Sequence, residues 1–130
     1  KASIIINSGT INGNSPIDRE FANIDGFSSA NGRYGLLYVH DGSSLTMNGG
    51  EIKNNILLAQ AAIDSPKTNS KVTLNGGTIT NNMITKNGET FDFPITTYYN
   101  NRDRFECSND VFITGRAYDF ETSSYIIISE

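Results

Sequence analysis

The residue types best suited to molecular recognition are concentrated in one stretch of this chain, between Thr85 and Asn109. Tyrosine rings and arginine guanidinium groups anchor sugars and protein partners, because they combine stacking surface with directed hydrogen bonds. The competing interpretation, to which we give more weight, is that the aromatic side chains fold this stretch back over the domain or cap its open end. If this stretch is a recognition site, we predict a ligand-binding patch made of Tyr98, Tyr99, Arg102 and Arg104.

The other reactive side chains fit nucleophilic chemistry and metal binding poorly. Cys107 is the single cysteine and has no histidine near it in sequence, so we expect an inert thiol and no internal disulfide. The carboxylates of Asp18, Glu20 and Asp25 could ligate a cation, but their spacing does not match a calcium-binding loop. Solvated loop charges explain the same residues, and we prefer that interpretation. We therefore predict no metal and no cofactor.

A repeated motif provides the framework that must position these residues. The segment SSLTMNGGEIKNN at 43–55 recurs as SKVTLNGGTITNN at 70–82, and a looser copy, ASIIINSGTINGN, occupies 2–14. Asparagines coincide in the three copies, both before the turn glycines and at the end of each copy. Aligned copies place apolar residues in three columns, which are Ile4, Leu45 and Val72; Ile6, Met47 and Leu74; and Ile11, Ile52 and Ile79. The asparagine columns are Asn7, Asn48 and Asn75, and Asn14, Asn55 and Asn82.

Stacked copies of this kind predict an all-β fold, because one copy cannot bury its own apolar residues while neighbouring copies bury continuous columns. Alternation directs Leu45 and Met47 inward and Thr46 outward. About four coils are expected within a single domain over 1–130, with loop excursions at 15–33 and 85–109. A β-sandwich whose strands share a turn motif is the alternative. Further matches pair 59–64 and 110–114 with 37–40, and 124–129 with 44–48.

The same alignment gives little support to a carbohydrate-cleaving site. A retaining glycosidase needs two carboxyl groups about 5 to 5.5 Å apart, which is close to the distance between neighbouring coils. No aligned column contains two carboxylates, since Glu51 aligns with Thr10 and Thr78. The alignment does place His40 beside Asp64, and we interpret this pair as a surface contact rather than an acid–base unit. We therefore predict no catalytic residue.

The two strong copies resemble the L-T-M-N-G-G-x-I-x-x-N repeats of right-handed parallel β-helix (solenoid) domains. Such domains occur in large bacterial secreted and surface proteins that are often described as adhesin-like. The resemblance implies a structural or adhesive segment of a secreted or cell-surface bacterial protein, with a glycan or a host-surface protein as its partner. Polysaccharide lyases and glycoside hydrolases also use parallel β-helices, so a fragment of such an enzyme is the second hypothesis.

Charge and hydropathy restrict the partners further. The net charge of −4 disfavours a nucleic acid, because binding to phosphates usually needs a basic surface. No apolar run approaches the roughly 20 residues with which a helix crosses a bilayer. The chain begins at Lys1 without methionine or a signal-peptide pattern, and it enters a strand-like run by Ile4. We therefore expect it to be a piece of a longer protein.

Overall fold

The computed structural model describes residues 2–13, 36–57 and 60–129, and these residues form strands, turns and bends. The predicted excursion at 15–33, with Asp18, Glu20 and Asp25, lies outside the described residues. So does Asn14, the first member of the second asparagine column. The strands are β1 (Ser3–Ile6), β2 (Thr10–Asn12), β3 (Leu37–Tyr38), β4 (Ser44–Met47), β5 (Glu51–Lys53), β6 (Ile63–Asp64), β7 (Lys71–Leu74), β8 (Gly77–Thr80), β9 (Met83–Lys86), β10 (Glu89–Asp92), β11 (Ile95–Thr97), β12 (Phe105–Cys107), β13 (Val111–Ile113), β14 (Gly115–Asp119) and β15 (Ser124–Ser129).

Three sheets contain most of these strands. Sheet A has the order β1-β4-β7-β12 and sheet B the order β2-β5-β8-β13, and both are wholly parallel. Sheet C has the order β3-β6-β11-β14-β15, in which only the pair β14 and β15 is antiparallel. From β3 onwards the chain passes through sheets C, A and B in a fixed order, apart from a hairpin formed by β9 and β10. The predicted all-β class is therefore confirmed, with parallel sheets as its main component.

The strand register confirms the predicted apolar columns. In sheet A, β4 pairs with β1 and β7 so that Leu45 and Met47 lie between apolar residues of both neighbours. In sheet B, Ile52 has the same place between Ile11 and Ile79. These residues of β4 and β5 have no solvent exposure, whereas the outward Ile5 is 62% exposed. Alternation along each strand therefore sorts side chains between a shared core and the surface, as the sequence predicts.

The glycines of the repeat form turns that stack directly on one another. Gly77 has a φ of 98°, which L-residues with a side chain adopt only with strain. A Cβ atom at Gly77 would lie 2.7 Å from the carbonyl oxygen of Gly50, the equivalent residue of the preceding copy. Each Asn-Gly-Gly step therefore combines a left-handed turn with a close backbone approach, and both need glycine.

Asparagine side chains connect the same turns. Asn48 donates an Nδ2 hydrogen bond to Oδ1 of Asn7 at 2.9 Å, and Asn75 donates one to Oδ1 of Asn48 at 2.8 Å. A second ladder is buried: Asn55 donates to Oδ1 of Asn82 at 2.8 Å, and both amides also donate to backbone carbonyl groups. These bonds satisfy polar groups at turns that stacking removes from water. The predicted reason for the asparagine columns is therefore confirmed.

The predicted loop excursion at 85–109 is wrong. Within it, β11 adds a strand to sheet C and β12 adds a strand to sheet A, where Phe105 pairs with Val72 and Cys107 with Leu74. Only the hairpin β9–β10 leaves the three sheets. An aromatic ring and a thiol replace the aliphatic residues of the earlier copies. The number of residues between neighbouring coils also exceeds the 27 that separate Asn48 from Asn75, because the hairpin β9–β10 is inserted before the last coil.

Two later strand assignments are also wrong. The segment 110–114 contributes β13, which pairs with β8 in sheet B and not with β3 of sheet C. The segment 124–129 forms β15, which runs antiparallel to β14 instead of joining β4 in sheet A. Both errors follow from the missed strands β11 and β12, since the chain had already passed through sheets C and A before residue 110. A run of isoleucines also contains no information about strand direction.

Candidate functional site

The structure separates the four residues of the predicted patch into two groups. Tyr99 and Arg102 line one cleft of about 450 Å³, together with Asn75, Glu106 and Cys107, and we name it the Tyr99 cleft. Tyr98 contacts a different part of the surface, where its hydroxyl donates to the carbonyl oxygen of Pro66 at 3.5 Å and its ring lies 5.7 Å from that of Phe120. Arg104 does not line the cleft, and its carbonyl oxygen accepts the Val72 amide at 2.9 Å.

Tyr99 is fixed in position by two contacts. Its ring stacks on that of Phe105 with centroids 5.2 Å apart, and its backbone amide donates to Oδ1 of the buried Asp119 at 3.1 Å. Burial, followed by the neighbouring Cys107, raises the pKa of the Tyr99 hydroxyl. The phenol is therefore a neutral hydrogen-bond donor at physiological pH. The ring also covers Phe105, so one aromatic side chain fulfils the predicted structural role while lining the cleft.

Charges of both signs surround the Tyr99 cleft. Lys71 lies 2.6 Å from a carboxylate oxygen of Glu106, and this hydrogen bond is the main reason why the pKa of Glu106 is lowered, with a smaller contribution from Arg102. Desolvation raises the pKa of the Cys107 thiol, so the sulfur is protonated and unreactive at neutral pH. The cleft therefore offers an aromatic edge, a guanidinium group and a carboxylate, and no activated nucleophile.

An asparagine ladder ends in this cleft. Asn75 donates its amide hydrogen to Asn48, while its own Oδ1 accepts no hydrogen bond from any described residue. A carbonyl oxygen of this kind is an acceptor for a hydroxyl or ammonium group. Because the ladder holds the amide in place, the acceptor is positioned before any ligand arrives.

Sequence reasoning missed a second and larger cleft of about 770 Å³. Its outer wall is formed by Phe112 of β13 and Ile127 of β15, which are 60% and 65% exposed. We name it the Phe112 cleft; it is also lined by Thr80, Asn81, Met83, Phe91, Asp92, Thr114, Gly115 and Arg116. A signal for it exists in the sequence, because the alternation Val-Phe-Ile at 111–113 directs the central ring away from the core.

Asp92 holds the two walls of the Phe112 cleft together. Its carboxylate accepts hydrogen bonds from the backbone amides of Asn81 at 2.9 Å and Asn82 at 3.0 Å. It also accepts one from the hydroxyl of Thr114, which follows β13. One side chain therefore ties the hairpin β9–β10 to the turn after β8 and to the connection between β13 and β14.

Arg116 is held between an acid and an aromatic ring. Its guanidinium lies 2.5 Å from a carboxylate oxygen of Glu89 and 4.4 Å above the centre of the Phe91 ring. The hydrogen bond with Arg116 lowers the pKa of Glu89, and the same bond raises the pKa of Arg116. These contacts fix the edge of the hairpin against β14.

Replacing Glu89 with glutamine is expected to remove a pH-dependent part of the stability. The folded-state pKa of Glu89 is lowered, so its stabilisation is present above the ordinary value of about 4.3 and is lost as pH falls through the folded value. The difference in Tm between wild type and E89Q should therefore be larger at pH 7 than at acidic pH, and it should decrease as the pH falls through the folded pKa of Glu89. Glu121→Gln is the matched control. A constant difference across this range would contradict the ion pair.

The predicted contact between His40 and Asp64 is wrong. The register places Tyr38 opposite Asp64, two residues before the histidine, and Thr96 donates its hydroxyl to Oδ1 of Asp64 at 2.6 Å. The ring of His40 instead meets that of Tyr38 edge to face, with centroids 4.6 Å apart. The error arose because the alignment matched Asp64, the last residue of β6, with His40, which lies two residues beyond the end of β3.

The described residues offer neither a metal-binding cluster nor a membrane-spanning helix. They contain no group of three or more histidine, cysteine or acidic side chains that could hold a metal ion. They also contain no helix long and apolar enough to cross a membrane. Comparison with known proteins identified no relative: this chain matches no protein-family model, no curated protein and no solved structure.

Proposed function

We propose that this chain is a right-handed parallel β-helix segment of a secreted or cell-surface bacterial protein, with a structural and adhesive role. The observation that carries the proposal is the fixed order in which the chain visits three parallel sheets, in register from copy to copy. Parallel strands of one sheet need crossover connections, and such crossovers are right-handed in about 98% of cases. Repeated crossovers through the same three sheets generate a coil.

A rigid role follows from the stacking contacts. From β3 onwards each coil pairs its backbone with the next coil in all three sheets, and the asparagine ladders add side-chain hydrogen bonds at the turns. A stack of this kind resists bending, because bending would break backbone pairing and ladder bonds in the same place. It suits a stalk that presents a binding surface at a fixed distance.

The adhesive role is supported by the Tyr99 cleft. A neutral phenol, a guanidinium group and the free Oδ1 of Asn75 meet there, and these groups match the hydroxyls and ring faces of a glycan or the polar side chains of a host protein. The enzyme hypothesis has less support. Among the described residues, the carboxylates with a shifted pKa are Glu89 and Glu106, and cations lower both values, whereas a general acid needs a raised pKa.

A glycan array probed with the folded protein tests the adhesive role. Tyr99→Ala/Arg102→Ala is expected to weaken binding at least about tenfold, which corresponds to loss of about 1.4 kcal/mol. The matched control is Tyr98→Ala/Arg104→Ala, which removes the same residue types outside the cleft and should leave binding within about twofold.

Three outcomes would contradict this proposal. One is the absence of binding to any glycan and to immobilised host-surface proteins. Another is an equal loss in both double variants. The third is the appearance of shortened glycans after incubation, which would indicate the polysaccharide-degrading alternative. Circular dichroism spectra of all variants should overlay with that of the wild type, so that loss of fold is not mistaken for loss of a site.

A further inference from the structure

The Phe112 cleft combines an exposed aromatic ring with two neutral polar groups, each of which has an oxygen atom that accepts no hydrogen bond from the described residues. Phe112 points outward because its neighbours Val111 and Ile113 face the core, and it stands in the outward column that begins with Thr10, Glu51 and Thr78. A single large ring therefore follows polar side chains on the outer face of sheet B. With Ile127 opposite, the cleft has two of the most exposed apolar side chains among the described residues.

The polar side of the cleft is formed by Thr80 and Asn81. Asn81 donates Nδ2 to Asn54 at 2.7 Å, so its amide orientation is fixed, and its Oδ1 accepts no hydrogen bond from a described residue. The side-chain hydroxyl of Thr80 likewise has no partner in the described part of the chain, and it lines the cleft. One fixed acceptor and one rotatable hydroxyl lie beside the aromatic wall.

The charged groups of the cleft already have hydrogen-bonding or ionic partners. Asp92 accepts hydrogen bonds from two backbone amides and from Thr114. Arg116 is paired with Glu89 and lies over Phe91. No charged group is left in need of a partner, so the cleft complements an uncharged ligand better than an anionic or cationic one.

The cleft also has a defined shape before any ligand binds. Its walls belong to strands or to the turn that Asp92 fixes, so binding needs little ordering of the protein. Its volume of about 770 Å³ lies within the range of about 300 to 1,000 Å³ that small-molecule sites occupy.

We infer that the Phe112 cleft binds a neutral pyranose sugar, whose apolar C–H face packs on Phe112 while its hydroxyls bond to Asn81 and Thr80. A pyranose ring offers an apolar face and a rim of hydroxyl groups that donate and accept, which is the pattern of this cleft. The inference rests on the proposed glycan-binding function but assigns a second location, distinct from the Tyr99 cleft.

The test is an NMR titration of the isotope-labelled protein with cellobiose, maltose and lactose as neutral probes and with digalacturonate as the anionic comparison. Backbone amides of Asn81, Phe112 and Thr114 are expected to shift with a neutral probe, with a Kd of about millimolar for so small a ligand. Digalacturonate should bind at least about fivefold more weakly.

Two variants locate the site. Phe112→Ala removes the aromatic wall, and Asn81→Gly removes the amide while keeping the φ of 54° that this position needs. Each is expected to raise the Kd at least about fivefold. Ile5→Ala, which removes a side chain of similar exposure in sheet A, should leave the Kd unchanged. Unchanged amide shifts outside the cleft report that each variant is folded.

Three results would overturn the inference: no shift with any neutral probe, shifts confined to residues outside the Phe112 cleft, or a Kd that F112A leaves unaltered. The glycan array keeps this inference separate from the proposed function. If Y99A/R102A loses array binding and F112A shows no sugar effect, the proposed function stands and this inference fails. If F112A alone loses binding, this inference stands and the Tyr99 cleft is not the adhesive site.

Discussion

Gly77→Ala is expected to lower the free energy of unfolding by about 3 kcal/mol, a large part of the 5 to 15 kcal/mol that stabilises a typical domain. Two costs add. A residue with a Cβ atom at a φ of 98° costs about 1 to 2 kcal/mol. The new methyl group would also lie 2.7 Å from the carbonyl oxygen of Gly50 and 2.8 Å from Cε of Met47, so neighbouring turns would have to separate.

Gly88→Ala is the matched control for this effect. Gly88 also has a positive φ, of 81°, but it lies in the hairpin turn between β9 and β10, where a Cβ atom would meet nothing within 4 Å. Its expected cost is only the conformational part, about 1 kcal/mol. Urea denaturation followed by circular dichroism measures both variants, and an unchanged m-value shows that the two-state comparison holds. Equal losses in G77A and G88A would mean that the turns are not stacked.

Asn82→Ala is expected to cost about 3 kcal/mol, because it breaks two buried hydrogen bonds at one turn. The Asn82 side chain has no solvent exposure; it donates to the carbonyl oxygen of Ile52 at 3.1 Å and accepts from Asn55 at 2.8 Å. Alanine removes the acceptor of a buried Asn55 amide hydrogen and one donor to that carbonyl, and an unsatisfied buried group costs about 1 to 3 kcal/mol.

Asn75→Ala separates the stability cost of losing a buried polar partner from the cost of losing a ladder hydrogen bond. Asn75 makes a ladder bond of the same length to Asn48, but on the surface, where water replaces the lost partner. Its expected cost is about 0.5 kcal/mol. Chemical denaturation of both variants under one set of conditions gives the comparison. A loss in N75A as large as that in N82A would show that the ladders act through turn geometry and not through buried polar groups.

The first copies of the repeat could be predicted from sequence because burial and turn geometry restrict the same positions. Leu45 and Val72 occupy one core position, and only apolar residues fit between their neighbours. Gly50 and Gly77 occupy one turn position, where any Cβ atom would collide with the preceding copy. Constraints of this strength preserve residue type from copy to copy, so alignment by eye recovers the register.

The fourth strands of sheets A and B could not be predicted, because the constraint weakens at the edge of a stack. Phe105 occupies the core position above Val72 on the last strand of sheet A, where its ring stacks on that of Tyr99, so an aromatic residue fits there. The Phe112 cleft escaped prediction for a related reason. It depends on Asp92 linking segments from two distant parts of the sequence, and no local pattern contains that contact.

The asparagine ladders have a direction, and this gives an all-β domain an electrical polarity. Every described rung of the two exposed ladders donates from the later copy to the earlier one, so amide dipoles align along the stack. Hydrogen-bonded amides polarise one another, and the effect accumulates toward the last acceptor. Among the described residues, the open acceptors at the ends of the two ladders are Oδ1 of Asn75 and Oδ1 of Asn81, and each residue lines a cleft. Acceptor strength at both clefts therefore grows with the number of stacked copies beneath them, which couples the length of the stack to the chemistry at its surface.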